Sequence, residues 1–231
     1  MPAGLIELGE IMVAGAQRRL ETVSQNVSNL TTPGYRKGVM FDRVLAGAAG
    51  ALALSTDFAA GPLRLTGQPF DLAITGEGFF RVRGENGFYY TRGGQFSRDG
   101  EGHVVDGQGL ALQTVDGRDL VINGSGVEIA EDGTVIEDGA PVARIGAFAP
   151  TLDGRLERIG GAYFAVAGDL VEEASSPILR QGMLEGSNVE LSTEMLTMMN
   201  ALRQAEAGAR VVQLYDGLIG QTISTLGRAP A

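Results

Sequence analysis

The chain has 231 residues, 44% of them apolar, which is enough to form a sizeable hydrophobic core and excludes global disorder. It contains no cysteine, so disulfides, iron–sulfur clusters and thiolate-bound zinc are excluded. The formal net charge of −10 argues against a nucleic-acid partner, because phosphate binding requires a basic surface.

We expect no cleaved secretion signal at the N-terminus, because its first charged residues are the acids Glu7 and Glu10 rather than bases. The longest uncharged apolar run extends from Val44 to Leu54, which is eleven residues. A membrane-spanning helix needs roughly 20 such residues, so we also expect no membrane span.

Residues 1–30 are predicted to form a helix with one apolar stripe. Its apolar residues recur at alternating steps of three and four, with Gly9 as the weak member. This spacing, sustained over several heptads, indicates coiled-coil packing against another helix. The stripe consists of Ile6, Val13, Ala16, Leu20, Val23, Val27 and Leu30.

The segment SQNVSNLTTPGYRKG ends this helix in a sharp corner. Proline has no backbone N–H and disfavours helical geometry in the residue before it, so we assign the corner to Pro33, Gly34 and Tyr35. Two amides, Asn26 and Asn29, lie near the helix end. They could hydrogen-bond backbone groups of a neighbouring subunit, or they could cap the helix within their own chain.

Residues 31–68 are predicted to form a Gly- and Ala-rich, partly extended connector, and residues 69–186 an antiparallel β domain. The second prediction rests on six Asp-Gly pairs that separate short alternating or apolar runs. Asp-Gly favours hairpin turns because glycine adopts positive φ without steric cost. Acidic residues outnumber basic ones in this region, so copies of the domain repel one another at long range.

Residues 187–231 are predicted to form a second long helix, which begins with a capping box of Ser187 and Glu190. It carries one apolar stripe with heptad spacing and a second apolar set beside it. Because one partner helix cannot cover both, we expect several neighbours to bury this helix. The stripe includes Leu191, Met195, Met198, Leu202, Val212, Ile219, Ile223 and Leu226. The second set is Leu196, Met199, Val211, Leu214 and Leu218.

The residues that usually carry catalysis or bind cofactors do not form a recognisable site. His103 is the single histidine and lies in a predicted hairpin, and there is no Gly-x-Ser-x-Gly nucleophile motif. The Asp-Gly pairs do not build a calcium-binding loop, and no dinucleotide-binding fingerprint is present. We therefore predict no catalytic, metal or cofactor site. A glycoside hydrolase is the enzyme class left open, since carboxylate pairs are abundant.

Four segments, in order along the chain, resemble segments of bacterial flagellar rod and hook proteins. The first carries the pattern Asn-x-x-Asn-x-x-Thr-Pro-Gly-Tyr, and together the four extend from one end of the chain to the other. They are SQNVSNLTTPGYRKG (24–38), GPLRLTGQPFDLAITGEGFFRV (61–82), YTRGGQFSRDGEGHVVDGQGLAL (90–112) and GMLEGSNVELSTEMLTMM (182–199).

The resemblance implies a structural subunit, not an enzyme, that stacks helically into the periplasm-spanning rod of the flagellar basal body. Its implied partners are other flagellar rod and axial proteins, copies of itself and the flagellar type III export apparatus. The terminal segments would form the subunit interface. The predicted interface residues are Val13, Leu20, Val23, Asn26, Val27, Asn29, Leu30, Leu191, Met195, Met198, Leu202, Val212, Ile219, Ile223 and Leu226.

The resulting fold prediction is α+β, with long N- and C-terminal helices that pair as a coiled-coil-like stalk and an inserted all-antiparallel β domain. Within the resembled family, the chain length and the LEGSNVE stretch favour a proximal-rod subunit. Two other interpretations remain. One is a distal-rod or hook subunit of the same organelle. The other is a coiled-coil-tethered module that binds or hydrolyses peptidoglycan.

Overall fold

The computed structural model describes residues 3–45, 48–85, 87–124, 126–151, 155–166, 170–174 and 177–226. The chain divides into two compact units. The helical unit contains the two helices and one β-hairpin, and the β unit contains residues 29–37 and 58–189.

The described residues form two helices and eighteen strands, so the fold is β-rich. The predicted α+β fold, built on a coiled-coil-like stalk of paired terminal helices, is therefore wrong. The helices α1 (Ala3–Ser28) and α2 (Leu191–Leu226) are long, but they account for a minority of the regular elements. Helices lie in both end segments where periodicity indicated them, but the strands dominate the architecture.

The face that α2 buries also differs from the predicted coiled-coil seam. Leu191, Met195 and Leu202 were assigned to the seam and are exposed. The buried positions of α2 are Glu194, Ala201 and Gly208. Heptad spacing reveals an apolar stripe, but it does not reveal whether a helix of the same chain covers that stripe.

Small residues allow α1 and α2 to approach each other closely. A Cβ atom on Gly9 would lie 2.8 Å from Cγ2 of Val212. A Cβ atom on Gly208 would lie 3.0 Å from the carbonyl oxygen of Gly9 and 3.0 Å from Cγ2 of Val13. The helix contact therefore depends on backbone proximity at glycine, and not on large interlocking side chains.

The hairpin of the helical unit lies in the segment for which the sequence indicated a partly extended connector. Its strands β1 (Gly38–Leu45) and β2 (Ala48–Thr56) are antiparallel, and Phe41 pairs with Ala53. A two-stranded hairpin is marginally stable by itself, so it needs a further contact. That contact is α1, against which β1 packs.

The β unit contains the remaining sixteen strands of the described residues, and their pairings are all antiparallel. The strands are β3 (Leu63–Leu65), β4 (Leu72–Thr75), β5 (Phe80–Gly84), β6 (Gly87–Thr91), β7 (Phe96–Arg98), β8 (Val104–Asp106), β9 (Ala111–Leu112), β10 (Val127–Ile129), β11 (Thr134–Glu137), β12 (Ala140–Arg144), β13 (Phe148–Pro150), β14 (Leu156–Gly160), β15 (Tyr163–Val166), β16 (Val171–Glu173), β17 (Ile178–Gln181) and β18 (Met183–Glu185).

The largest sheet has seven strands in the order β14-β15-β6-β5-β9-β8-β7, and β10-β11-β12 form a smaller meander. One Asp-Gly pair makes the turn between β11 and β12, where Asp138 has φ of 50° and Gly139 has φ of 86°. Consecutive positive φ values match the right-handed twist of a tight hairpin. At this position the Asp-Gly pair forms a hairpin turn, as the sequence predicted.

The strands at the beginning and at the end of the β unit pair with each other. β3 pairs with β18, and β4 pairs with β17. The main core cluster is built by the seven-stranded sheet, the meander and the strands β4 and β17, and it includes Phe80, Leu112, Ile122 and Ile145, all fully buried. Closure of this unit therefore requires segments that are more than a hundred residues apart in the chain.

No helix in the described part of the chain is both long enough and apolar enough to cross a membrane.

The glycine contact between the helices can be tested by overpacking it. Gly208→Val should lower the free energy of unfolding by about 1–3 kcal/mol, because the added methyl groups meet the backbone of α1. Gly217→Val is the matched control on the same helix, since a Cβ there meets no atom within 4 Å. Urea unfolding followed by far-ultraviolet circular dichroism measures both. Equal stabilities of the two variants would contradict the close approach.

Candidate assembly surface

Glycine geometry holds the predicted chain corner against distant parts of the β unit. Gly34 has φ of +68°, and its N–H donates a hydrogen bond to the carbonyl oxygen of Glu185 at 2.8 Å. A Cβ atom on Gly34 would lie 2.1 Å from the carbonyl carbon of Arg92, so only glycine fits. The next residue, Tyr35, is buried, and the guanidinium of Arg158 lies over its ring at 5.0 Å from the centroid.

A buried ion cluster centred on Glu185 lies directly beside this corner. Its Oε1 is 2.6 Å from Nη1 of Arg36, and its Oε2 is 3.2 Å from Nη1 of Arg92. The N–H of Gly61 donates a further hydrogen bond to Oε1 at 2.9 Å. The Glu185 side chain is 1% exposed, so all of these contacts are made away from water.

Two guanidinium groups share this one carboxylate. Burial lowers the pKa of Arg92, the Glu185 carboxylate opposes that shift, and the charge of Arg36 adds to it. Backbone carbonyl oxygens accept further hydrogen bonds, from Arg92 to Ile74 at 3.0 Å and to Gly76 at 2.5 Å, and from Arg36 to Ala59 at 2.9 Å. Loss of the carboxylate would leave two buried positive charges without a counter-ion.

The cluster joins the four segments that carry the family resemblance. Arg36 lies in the first segment, Gly61 begins the second, Arg92 lies in the third and Glu185 lies in the fourth. The sequence showed their order but not their meeting point. The sequence offered one hint: each of the four motifs contains one of these residues, of which three are charged and one is a glycine.

Asn26 forms a bridge within the helical unit. Its Oδ1 accepts a hydrogen bond from the N–H of Gly38 at 2.8 Å, and its Nδ2 donates to the carbonyl oxygen of Gly38 at 2.9 Å and to Oε2 of Glu194 at 3.2 Å. Asn26 therefore connects α1 to the start of β1 and to α2. Because its amide is used within the chain, this arrangement favours the intramolecular alternative over a bond to a neighbouring subunit.

Asn29 stabilises the turn that follows α1. Its Oδ1 accepts a hydrogen bond from Oγ1 of Thr32 at 3.1 Å, and its carbonyl oxygen accepts one from the N–H of Thr32 at 3.1 Å. The side chain is half-buried. A contact between Asn29 and a neighbouring subunit stays a prediction.

The other predicted interface residues differ widely in exposure. Val23 is buried. The half-buried ones are Val13, Leu20, Val27, Leu30, Met198 and Val212, and the corner residue Pro33 is half-buried too. The exposed ones are Leu191, Met195, Leu202 and Ile219. The side chains of Ile223 and Leu226 lie outside the described residues.

Among the described elements, α2 carries the most exposed large apolar side chains, eight in all. Four exposed side chains of the predicted stripe contribute to this apolar surface, and so does most of the second apolar set, with Leu196 63% and Leu214 69% exposed. Large exposed apolar surfaces often mark interaction sites, so this one is the candidate assembly surface. The surface consists of Leu191, Met195, Leu196, Met199, Leu202, Leu214, Leu218 and Ile219.

No group of three or more His, Cys, Asp or Glu side chains is placed to hold a metal ion in the part of the chain that the structure describes. His103 lies beside Asp99, with Nδ1 3.5 Å from Oδ2, in the turn before β8. Asp99 accepts hydrogen bonds from the backbone N–H groups of Glu101 and His103, which explains its place in that turn.

Comparison with known proteins places these features in a family. The model described as "Flagellar hook protein FlgE/F/G D1 domain" matches residues 73–137, and "Flagellar basal body rod FlgEFG protein C-terminal" matches residues 180–225. Flagellar basal-body rod protein FlgF of Caulobacter vibrioides is 28% identical over 228 aligned positions, covering 92% of this chain and 93% of the relative. FlgF of Mesorhizobium japonicum is 29% identical, covering 91% and 92%. Flagellar basal-body rod protein FlgG of Bacillus subtilis is 27% identical over 249 positions, covering 90% and 93%.

The chain belongs to the bacterial flagellar basal-body rod protein family. The two matched ranges of this rod-family protein contain Arg92 and Glu185, one in each. The second range also includes nearly all of α2 and hence the exposed apolar surface. Arg92, Glu185 and the exposed surface therefore lie within the ranges that the family models match, whereas the cluster residues Arg36 and Gly61 lie outside both ranges.

The Glu185 cluster predicts a large loss of stability when its carboxylate is removed. Glu185→Gln keeps the shape of the side chain but leaves Arg36 and Arg92 without a counter-ion, so the free energy of unfolding should fall by about 3–5 kcal/mol. Chemical denaturation followed by tyrosine fluorescence measures the change. Arg180→Gln, which breaks an exposed pair with Glu131, is the control and should change little. A Glu185→Gln variant as stable as that control would refute the cluster's role.

Asn26 and Asn29 differ in the role that their contacts predict. Asn26→Ala removes three hydrogen bonds, one buried and two part-buried, so it should lower the stability of the isolated subunit by about 1–3 kcal/mol. Asn29→Ala should weaken assembly more than it weakens folding. Unfolding of the purified subunit and its incorporation into basal bodies measure the two effects separately. Parallel losses in both assays for Asn29→Ala would argue against a subunit contact.

Proposed function

We propose that this chain is the proximal-rod subunit of its family and that it joins its neighbours through the exposed apolar surface of α2. As a family member, it is a structural subunit of the flagellar basal-body rod, not an enzyme, and it is part of the basal body. It assembles with other flagellar axial proteins. The proposal rests on one observation, the eight large apolar side chains that the described part of α2 leaves exposed.

The apolar surface of α2 is sufficient to support assembly. Burial of each fully exposed Leu, Ile or Met side chain is worth about 1.5–3 kcal/mol. Association costs an estimated 4–15 kcal/mol in lost translational and rotational freedom. The eight side chains of this surface are 41–69% exposed, so burying all of them is worth about 6–12 kcal/mol. That exceeds the lower part of the range, whereas one or two of them are worth at most about 3 kcal/mol and do not exceed it.

Alignment length supports the FlgF type, which is the proximal-rod subunit of the resembled family, over the FlgG type, which is its distal-rod subunit. The FlgF relatives align over 228 and 226 positions, which fits within the 231 residues of this chain. The FlgG relative aligns over 249 positions, so it carries segments for which this chain has no counterpart. Percentage identity does not separate the two types. A distal-rod or hook position in the same organelle is the second candidate.

Contacts with copies of itself and delivery by the flagellar type III export apparatus are further parts of the proposal. Family membership supports both, and the exposed apolar side chains of α2 support the first, because they extend over more of the helix than one partner helix covers. A rod built from stacked subunits requires each subunit to offer surfaces on more than one side.

The test is complementation of a deletion mutant in the bacterium that encodes the chain. The tagged wild-type chain should restore swimming, and electron microscopy of purified basal bodies should place the tag at the membrane-proximal end of the rod. Leu214→Glu with Leu218→Glu should prevent incorporation, whereas Asn200→Asp with Gln213→Glu, two exposed polar positions on the same helix, should not.

A tag at the distal end of the rod would refute the proximal assignment. Normal incorporation of the Leu214→Glu/Leu218→Glu variant would refute the role of the α2 surface. Circular dichroism of the purified variants establishes that α2 still forms, so that a folding defect is not mistaken for an assembly defect.

A further inference from the structure

Two adjoining cavities of the β unit form one open groove beside the loop that joins β8 to β9. Their volumes are about 510 and 530 Å³, and Tyr89, Gln108 and Leu110 line both of them. Each volume falls in the range of roughly 300–1,000 Å³ that is usual for small-ligand sites. We call this feature the tyrosine groove, and it has room for more than one ring-sized unit of a ligand.

The buried carboxylate of Asp106 holds the walls of the tyrosine groove in place. Its Oδ1 accepts hydrogen bonds from the N–H of Gln108 at 2.9 Å and from the N–H of Leu110 at 3.0 Å. Its Oδ2 accepts one from the hydroxyl of Tyr163 at 2.8 Å, and Tyr163 lines one end of the groove. One carboxylate thus fixes the loop and the tyrosine in advance, which lowers the ordering cost of binding a ligand.

The aromatic rings of the groove are fixed as well. Tyr89 and Tyr163 are half-buried, and both pack against the main core cluster. A Cβ atom on Gly84 would lie 2.8 Å from Cε2 of Tyr89, so the ring rests directly on the backbone there. Burial and the hydrogen bond to Asp106 raise the pKa of Tyr163, so its hydroxyl stays protonated and its oxygen remains an acceptor for a ligand.

Two polar groups of the groove are available to a ligand. In the part of the chain that the structure describes, the side-chain amide of Gln108 and the hydroxyl of Tyr89 have no hydrogen-bond partner. Each of these groups can both donate and accept. The groove therefore combines fixed ring surfaces with uncharged hydrogen-bonding groups.

The charges at the other end of the groove do not favour an anionic ligand. Arg83 is already paired with Asp119, whose Oδ1 accepts a hydrogen bond from its Nε at 2.9 Å. Glu85 adds an exposed negative charge beside it. A phosphate or carboxylate would meet this charge and a guanidinium that is largely neutralised. An uncharged ligand with hydroxyl and amide groups complements the groove better.

An extended peptide finds few free backbone groups in the groove. Several lining residues lie on β5, β6, β9 and β15, and each of these strands has a neighbour on both sides in the seven-stranded sheet. Strand addition needs an unpaired edge, so it is not available on these strands. Recognition therefore depends on the rings and on the planar amide.

We propose that the tyrosine groove binds an uncharged oligosaccharide chain of N-acetylated sugars. The apolar faces of the sugar rings lie on Tyr89 and Tyr163, whose rings combine an apolar body with a polar tip. The amide of Gln108 exchanges hydrogen bonds with an acetamide group, which offers the matching donor and acceptor. Leu110 and Ile159 provide an apolar contact for the acetamide methyl group. This site goes beyond the proposed function, because it lies in the β unit and not on α2.

Saturation-transfer NMR on the full-length chain tests the groove, with tri-N-acetylchitotriose as the probe. The groove is open to solvent, so we expect weak binding, with a Kd of about 1 mM. Tyr89→Ala and Gln108→Ala should each weaken binding about fivefold or more. The matched control is Phe88→Ala, which removes an exposed ring of the same strand outside the groove and should bind as the wild type does.

Competing ligands test the assigned chemistry. Cellotriose carries hydroxyl groups in place of the acetamides, so it should bind about threefold or more weakly than the probe. A proline-rich peptide is the other ligand class that aromatic-lined grooves take, and it should not displace the probe. Gln108→Ala separates binding from folding, because this side chain is exposed, and circular dichroism checks the fold of each variant.

Four outcomes would overturn the inference. They are no binding of the probe, binding that Gln108→Ala leaves unchanged, equal binding of cellotriose, and displacement of the probe by the peptide. Purified peptidoglycan distinguishes the sources of the sugar chain. Retention on it of the wild type but not of the Tyr89→Ala/Gln108→Ala variant would identify the wall, whereas binding of the trisaccharide alone would identify a free saccharide.

Failure of this inference is distinguishable from failure of the proposed function. The groove variants leave α2 unchanged, and incorporation of Leu214→Glu with Leu218→Glu into basal bodies tests the α2 surface by itself. A groove that binds no sugar would therefore leave the assembly proposal standing.

Discussion

The buried carboxylate of Glu185 is the contact on which the β unit depends. It neutralises Arg36 and Arg92 and accepts the N–H of Gly61, while its own carbonyl oxygen accepts the N–H of Gly34. An ion cluster of this kind is costly to build, because three charged groups leave water. Its benefit is geometric, since a carboxylate with fixed partners admits one arrangement of the segments around it. The chain corner, the entry to the β unit and its last strand are thereby held in one register.

Strand pairing also joins the beginning of the β unit to its end. β3 and β4 come first in the β unit, and their partners β18 and β17 come last. Contacts over such sequence separations carry a large loop-closure cost, and the surrounding core offsets it. The β unit is thus stabilised where the chain enters and leaves it.

In the helical unit, glycines and one amide side chain make the closest contacts. Glycines at 9 and 208 let two backbones approach, and Asn26 attaches the hairpin by pairing with Gly38 as a neighbouring strand would. Because small residues and an amide make the internal contacts, the large apolar residues of α2 remain free. In an isolated globular protein such a surface would promote aggregation, whereas in a structural subunit it is available for assembly.

Some of this could be predicted from the sequence and some could not. Periodicity at both ends indicated helices, and Asp-Gly pairs indicated antiparallel hairpins, because both signals are local and follow from backbone geometry. The proposal that paired helices define the fold was wrong, since local spacing says nothing about how much of the chain the strands occupy. The hairpin of β1 and β2 was missed because its alanine-rich sequence resembles a linker.

The sequence by itself determined the secondary-structure types, the acidic character of the middle region and the family resemblance, because each depends on neighbouring residues or on ordered motifs. Only the tertiary structure decided that Glu185 meets Arg36 and Arg92, that Asn26 is used within the chain, and which apolar residues of α2 stay exposed. These are contacts between residues that are distant in the chain, and no local pattern specifies which distant residue a side chain will reach.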